Sequence, residues 1–320
     1  TQTFPHLSNY TVADSASSLT IGKTGNTADI TIGANISVAG PITISGGNVT
    51  VQQNLTTTAT NASILLQATG YIVTGANITA TTASNITLNA NGGFYTGSTN
   101  VSVISTRMAI TSAGGNITIN ADIDANGSGV LNLDYLTINP GAGNTIIRGE
   151  SFNWSTVNDS HRPWINGTGS FTMESNDASF NANLHMIWFV LDQDNNGMGG
   201  LTLGKSTEVN SLLINHTTGN NQYSGPILLQ GGNIEVHRNL NITSANQDIL
   251  LKSKGYVWLD SNDSLKTNGG DIVLWSDSDN SQGANLSVAD QINLEPGASL
   301  ISKGGRIILA GGPDTNNDGI

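Results

Sequence analysis

The chain has 320 residues, a formal net charge of -12 and only 11% charged side chains, with 38 Gly, 7 Pro and no Cys. Its 11 basic residues against 23 acidic ones argue against nucleic-acid binding, which needs clustered Lys and Arg to replace counterions. The lack of Cys removes disulfides, thiolate metal sites and cysteine nucleophiles, and no run approaches the ~20 apolar residues of a membrane helix.

In chain order, residues 1–18 read as a lead-in strand or cap. Leu19-Thr20-Ile21-Gly22-Lys23 opens the first patterned segment, followed from Gly40 by GPITISGGNVTVQQNL and from Asn61 by NASILLQATGYIV. The same order returns later as Leu201-Thr202-Leu203-Gly204-Lys205, then GPILLQGGNIEVHRNL from Gly225 and NQDILLKSKGYVW from Asn246. Pro41 maps onto Pro226 and Gly70 onto Gly255, an offset of 185 residues. Residues 19–200 are therefore a first repeat unit and 201–320 a second, truncated one.

A finer period runs inside each unit. Gly-Gly-x-[Ile/Val]-x-[Val/Ile/Leu] starts at Gly46, Gly114, Gly231, Gly269 and Gly304. Val49 to Ile64 spans 15 residues and Ile64 to Ile86 spans 22, which leaves the length of one coil open. Short alternating strands between Gly/Asn turns predict an all-β chain, a right-handed parallel β-helix or β-solenoid. Each strand would stack on its equivalent in the preceding coil. In Asn116-Ile117-Thr118-Ile119 the isoleucines point inward and Thr118 outward. Ten to fifteen such coils would form a single rod on the order of 50–70 Å long. A β-sandwich is the competing architecture, but it favours tight hairpins and a more aromatic core.

The pattern lapses at 150–200, where Phe152, Trp154, Trp164, Phe171, Phe180, Trp188 and Phe189 gather. This segment is expected to form an irregular coil or lateral bulge with its own small core. Met186 to Leu191 reads there as a core strand. Trp154, Trp164 and Trp188 are the candidate carbohydrate-binding residues, since exposed rings stack on sugars.

Three Asp-x-[Asp/Asn]-x-[Asn/Asp]-Gly segments copy the first half of a calcium loop: Asp122, Asp124 and Asn126; Asp192, Asp194 and Asn196; Asp314, Asn316 and Asp318. In the first two, Leu133 and Leu203 stand where a bidentate acid would close the loop, so Asx-rich turns are the simpler reading. Possible Ca2+ is the only cofactor suggested, and none is required. Asp260, Asp263, Asp271, Asp277 and Asp279, near Lys252, Lys254 and Lys266, form the densest acidic cluster. They read as a solvated face rather than a catalytic pair, because the first unit has Thr74, Asn85 and Asn89 in that region. His161, His185 and His216 lack a nucleophile-elbow context, so no catalytic residues are assigned. Seventeen Asn-x-Ser/Thr sequences arise where a turn Asn precedes an alternating strand.

The Leu-Thr-Ile-Gly-Lys opening with Gly25 to Gly33, the stretch GGNITINADIDANGSGVLNLDYL from Gly114, Gly167 to Ser175 and the closing GGPDTNNDGI resemble repeats of filamentous-haemagglutinin-like secreted adhesins. They are most similar to those of the giant cell-surface adhesins of gliding Bacteroidota. The resemblance implies export to the cell surface, a filamentous β-helix, attachment to surfaces or polysaccharide, and no catalytic residues. Asp14-Ser15-Ala16 and Asp263-Ser264-Leu265 match the short O-glycosylation sequence of that phylum.

The expected function is thus a structural and adhesive segment of a large extracellular, cell-surface protein, not an enzyme. Its expected partners are a glycan or other surface and neighbouring repeats or copies of itself, without nucleic acid or membrane insertion. The alternatives are a carbohydrate-active β-helix of the lyase or hydrolase kind and a self-assembling fibre subunit.

Overall fold

The computed structural model describes residues 14–97, 107–153, 161–191, 197–215, 222–279 and 290–313. The chain divides into two compact units, Thr1–Gly169 and Ser170–Ile320. Both are parallel β-helices with three strand-bearing faces per coil.

In the first unit the first face stacks Leu19–Gly22, Ile42–Gly46, Ile64–Ala68, Ile86–Ala90, Ile117–Asn120 and Thr145–Arg148. The second face runs from Ile30–Ile32 to Ser151–Phe152, and the third from Ile36–Val38 to Trp164–Ile165. In the second unit the first face runs from Ser170–Glu174 through Gly200–Gly204, Ile227–Gly231, Ile249–Ser253 and Ile272–Ser276 to Ile307–Gly311. Its second face holds Leu184–His185, Leu212–Ile214, Ile234–Val236, Val257–Leu259 and Ile292–Leu294; its third holds Gln222–Tyr223, Leu240–Ala245, Ser264–Asn268 and Ser299–Ile301.

The register fixes the coil. Ile42 pairs with Ile64 and Ile64 with Ile86, so these coils are 22 residues, while the next, from Ile86 to Ile117, is 31. In the second unit Ile227 pairs with Ile249. The 15-residue spacing from Val49 to Ile64 instead crosses from the second face to the first face of the next coil. The Gly-Gly rung likewise serves two corners. Gly46 leads into the second-face strand at Val49, whereas Gly114 leads into the first-face strand at Ile117.

Inward residues stack aliphatic on aliphatic. Ile42, Ile44, Leu66, Ile86, Leu88, Ile117 and Ile119 are buried, while Thr43, Thr87 and Thr118 between them face outward. Each such burial contributes about 1.5–3 kcal/mol. In the second unit Ile227, Leu229, Ile249, Leu251, Ile272 and Leu274 repeat the column. It ends at Ile307 and Leu309, which remain 47% and 54% exposed. Aromatic rings enter this core at Phe171, Phe180 and Phe189, with Phe171 and Phe189 6.0 Å apart. Met186–Trp188 forms a single 3-10 turn rather than part of a strand, and only Val190–Leu191 is extended. Residues 154–160 and 192–196 of the aromatic-rich segment lie outside the described residues.

Two features hold the corners. Gly22 and Gly204, the glycines of the repeated Leu-Thr-[Ile/Leu]-Gly-Lys, have φ of 75° and 70°. A Cβ on either would lie 2.0 Å from a carbonyl oxygen of the next coil, Ser45 or Gln230. Only glycine fits both the backbone angle and this approach. The second feature is a ladder of Asn and Asp side chains. Asn54 N–H donates to Asn35 Oδ1 at 3.1 Å, and Asn77 N–H donates to Asn54 Oδ1 at 3.1 Å. Asn116 N–H donates to Asn85 Oδ1 and Asn144 N–H to Asn116 Oδ1. Asp29, Asp248 and Asp271 play the same part. Many Asn-x-Ser/Thr sequences are therefore ladder residues placed just before a strand.

Gly204→Ala is expected to lower stability by more than about 1 kcal/mol, because it adds left-handed strain to a backbone clash. Denaturant titration of the variant checks this; an unchanged midpoint would contradict the close approach. Asn54→Ala removes a single exposed rung and should cost only about 0.5–1.5 kcal/mol. Hydrogen exchange at the Asn77 amide is expected to rise in that variant while amides two coils away stay protected.

Candidate glycan-binding face

The second face of the second unit carries a group of outward residues of which only a tyrosine recurs at the equivalent places of the first unit. Leu184, Leu212, Ile234 and Val257 point into the core, so the alternate positions face out. Register aligns them as a column: His185, Leu213, Glu235, Trp258 and Asn293. Tyr256 precedes Trp258 by two residues and leans across to Glu235. Its phenol donates a short hydrogen bond to Glu235 Oε1. At the strand ends His237 lies between two carboxylates. Its Nε2 is 3.2 Å from Glu235 Oε2 and its Nδ1 is 2.9 Å from Asp260 Oδ2. Asp260 Oδ1 also accepts the Ser261 N–H at 2.7 Å. Trp188, in the 3-10 turn after Leu184–His185, packs on the His185 ring at 4.9 Å.

The result is a continuous hydrogen-bonded chain, Tyr256–Glu235–His237–Asp260, flanked by half-buried rings. Burial and the neighbouring Glu235 push the Tyr256 phenol up to about 12, so it stays a donor. For His237, burial opposes the charged ring, but hydrogen bonds to Asp260 and Glu235 outweigh it and raise its pKa. The His237 hydrogen bond holds Asp260 below the usual carboxylate range. Burial and then Asp260 push Asp263 above it. His185 moves the opposite way from His237, lowered by burial despite Glu235. The two histidines on this face thus shift in opposite directions.

None of the four linked residues except Tyr256 has a counterpart of its kind in the first unit. There Thr50, Gln52, Tyr71 and Gly75 occupy the positions of Glu235, His237, Tyr256 and Asp260, and Val73 that of Trp258. The backbone is the same: His237 N–H donates to Ile214 O as Gln52 N–H does to Ile32 O, and Asp260 to Val236 O as Gly75 to Val51 O. The fold accepts either set, so the second set is not needed to build a coil.

The tryptophans named from the sequence are not brought together. Trp154 lies outside the described residues. Trp164 belongs to the first unit, in the third-face strand Trp164–Ile165, and the Arg107 guanidinium sits 3.7 Å from its ring centroid. That occupies one side of the ring. Trp188 alone reaches the candidate face. Trp258 was passed over, although Tyr256 and Trp258 alternate with the core residues Val257 and Leu259, which is the signal for two outward rings.

The acidic cluster also separates. Asp260 joins His237, and Asp271 makes a 2.7 Å ion pair with Arg306. Asp277 is 4% exposed with φ of 51°. These residues are therefore not a single solvated face. In the first calcium-like loop, Asp122 accepts the Asn126 and Gly127 N–H groups at 3.2 and 3.0 Å, and Asp124 accepts Asn126 Nδ2 at 3.0 Å. That is an Asx turn closed on itself. Burial, followed by the hydrogen bond with Asp124, raises the Asp122 pKa. Asp192, Asp194, Asn196, Asp314, Asn316, Asp318 and His216 lie outside the described residues. Among the described residues no group of three or more His, Asp or Glu side chains is placed to hold a metal ion.

Fold and face together define a parallel β-helix with one elaborated outer surface. No family model matches the chain, and neither does a curated protein or a solved structure. No helix among the described residues is long and apolar enough to cross a membrane.

The His237 ring is expected to titrate above the ordinary value of about 6.5, and Asp260→Asn should bring it down. NMR titration of the ring carbons reads this directly. Because the folded pKa is the higher one, His237 lends stability that is fully present below about 6.5 and fades as pH rises through the folded pKa. The stability difference between the wild type and His237→Gln should shrink along that rise. A difference growing with pH would contradict the two-carboxylate setting.

Proposed function

We propose that the chain is a structural and adhesive β-helical segment of a large secreted, cell-surface protein, and that it attaches to polysaccharide through the second face of its second unit. The observation that carries this reading is the pair of outward rings, Tyr256 and Trp258, beside the Glu235–His237–Asp260 chain. Rings supply flat apolar surface for a sugar, and fixed acceptors and donors beside them orient its hydroxyls. Such a surface, added to a coil that does not need it, fits recognition better than scaffold repair. The resemblance to filamentous-haemagglutinin-like adhesins points the same way.

The linked chain also raises a second reading, a carbohydrate-active enzyme. Paired carboxylates at a glycosidic bond need one free acid and one free base. Here Glu235 is committed to Tyr256 and His237, and Asp260 to His237 and Ser261. This supports a binding platform over a hydrolytic pair, and no calcium is required for it.

A polysaccharide panel tests the reading. Wild-type protein is expected to retain at least one polysaccharide without releasing reducing ends or unsaturated products. Trp258→Ala should weaken retention about tenfold, corresponding to 1.4 kcal/mol, with the fold intact by circular dichroism. Product release would replace the adhesive reading with the enzymatic one. Equal retention by wild type and Trp258→Ala would remove this face from the account.

A further inference from the structure

The corner between the first and second faces of the first unit is turned by residues 91–92 after Ile86–Ala90 and by residues 149–150 after Thr145–Arg148. On the coil between them the same corner takes residues 121–129, from Asn120 to Val130. The coil does not need this excursion. It holds one of the five Asn-Gly pairs of the chain, Asn126-Gly127. When glycine follows asparagine, the glycine nitrogen can attack the side-chain Cγ and close a five-membered ring. The reactants are already joined, and no Cβ crowds the attacking nitrogen.

At Asn126 each atom of that reaction has a partner suited to it. Gly127 N–H donates to Asp122 Oδ2 at 3.0 Å, so a carboxylate sits on the proton of the attacking nitrogen. Ser128 donates its N–H, at 3.0 Å, and its hydroxyl to Asn126 Oδ1, the oxygen that gains charge when Cγ is attacked. The same N–H bond folds the side chain back over the Gly127 peptide. Asn126 Nδ2, the leaving nitrogen, donates to Asp124 Oδ2 at 3.0 Å. Asp122 is fully buried, and burial followed by its hydrogen bond with Asp124 raises its pKa, which makes its ionised form a stronger base. Asn126 itself is exposed, so water reaches the product.

Asn91-Gly92 and Asn268-Gly269 lack this setting. Gly92 N–H donates to Gly70 O at 2.7 Å and Gly269 N–H to Ser302 O at 2.9 Å. A backbone carbonyl accepts a hydrogen bond but does not take the proton. Asn268 Nδ2 is also held by Thr243 O at 3.0 Å. Both glycine nitrogens belong to bonds between coils, and attack would undo that stacking.

We infer that Asn126 is a self-modification site, where Gly127 N displaces the side-chain amide nitrogen and residue 126 ends as a carboxylate. The bond from Gly127 N to Asn126 Cγ forms and the Cγ–Nδ2 bond breaks. The Gly127 amide proton passes to Asp122, along its hydrogen bond to Asp124, and departs on Nδ2 as ammonia. Water then opens the ring at either carbonyl to give aspartate or isoaspartate, and nothing is oxidised or reduced. The product sets a third carboxylate beside Asp122 and Asp124 and removes the donor that closed the turn onto Asp124. The loop thus changes charge once, in one direction, on a coil that stays stacked. The reaction is independent of the glycan-binding face.

The test follows the intact chain at neutral pH by peptide mass spectrometry, reading conversion of amide to acid at Asn126, Asn91 and Asn268. Asn126 is expected to convert at least about tenfold faster than the other two, yielding isoaspartate together with aspartate. Asp122→Asn keeps an oxygen for the Gly127 N–H but takes no proton, so conversion at Asn126 should slow about tenfold or more. Ser128→Ala, at an exposed position, should also slow it, with the melting temperature unchanged. Unfolding the wild type in denaturant should erase the difference among the three sites. Aspartate alone at residue 126 would mean direct attack by water and would overturn the ring. Wild-type speed in both variants, or equal rates at the three sites of the folded chain, would leave Asn126 an ordinary exposed amide and overturn the proposal.

Discussion

A coil of this fold can satisfy its backbone only through the coils on either side of it. Strands on one face pair in parallel with the equivalent strands before and after, and the polar groups of a coil have few partners within it. That requirement fixes the register, because a slip of one residue would turn every inward isoleucine outward. The aliphatic columns, the glycine corners and the Asn/Asp ladder all serve this single alignment. A glycine lets two corners approach, a ladder oxygen caps the amide that enters a strand, and the core residues then fall into line.

The same constraint leaves the outward positions free. Thr50 and Glu235 stand at equivalent sites with the same strand beneath them, as do Val73 and Trp258, or Gln67 and Lys252. A surface can be rewritten without altering the coil that carries it, and comparison of the two units separates what the scaffold needs from what was added. The added features used in the functional argument belong to the second unit: Trp258 beside the shared tyrosine, and the His237 linkage.

The repeat, the parallel stacking and the inward aliphatics were legible because hydrophobic alternation and Gly-Gly rungs report directly on them. Coil length was not, since the motif at Gly46 and at Gly114 marks two different corners. Local pattern identifies a turn into a strand but not which face the strand joins. Met186 to Leu191 misled for a related reason: apolar residues turning once in a 3-10 helix look the same as a buried strand. The candidate site was only partly visible. Trp188 and the Asp260 region stood out by composition, but the tie between Glu235, His237 and Asp260 joins residues a coil apart. Such proximity is a property of register, and it emerges only once the coil length is known. The tryptophans in the aromatic-rich segment drew attention by density, while Trp258, alone in an ordinary strand, did not.

The corner ladder has a chemical consequence beyond folding. It asks each residue for a side-chain oxygen, and the amide nitrogen is optional: Asp29, Asp248 and Asp271 already fill rungs that Asn54 and Asn116 fill elsewhere. Replacing a rung amide by a carboxylate leaves an acceptor in place. A corner amide can thus be exchanged for an aspartate without losing the acceptor that holds the register.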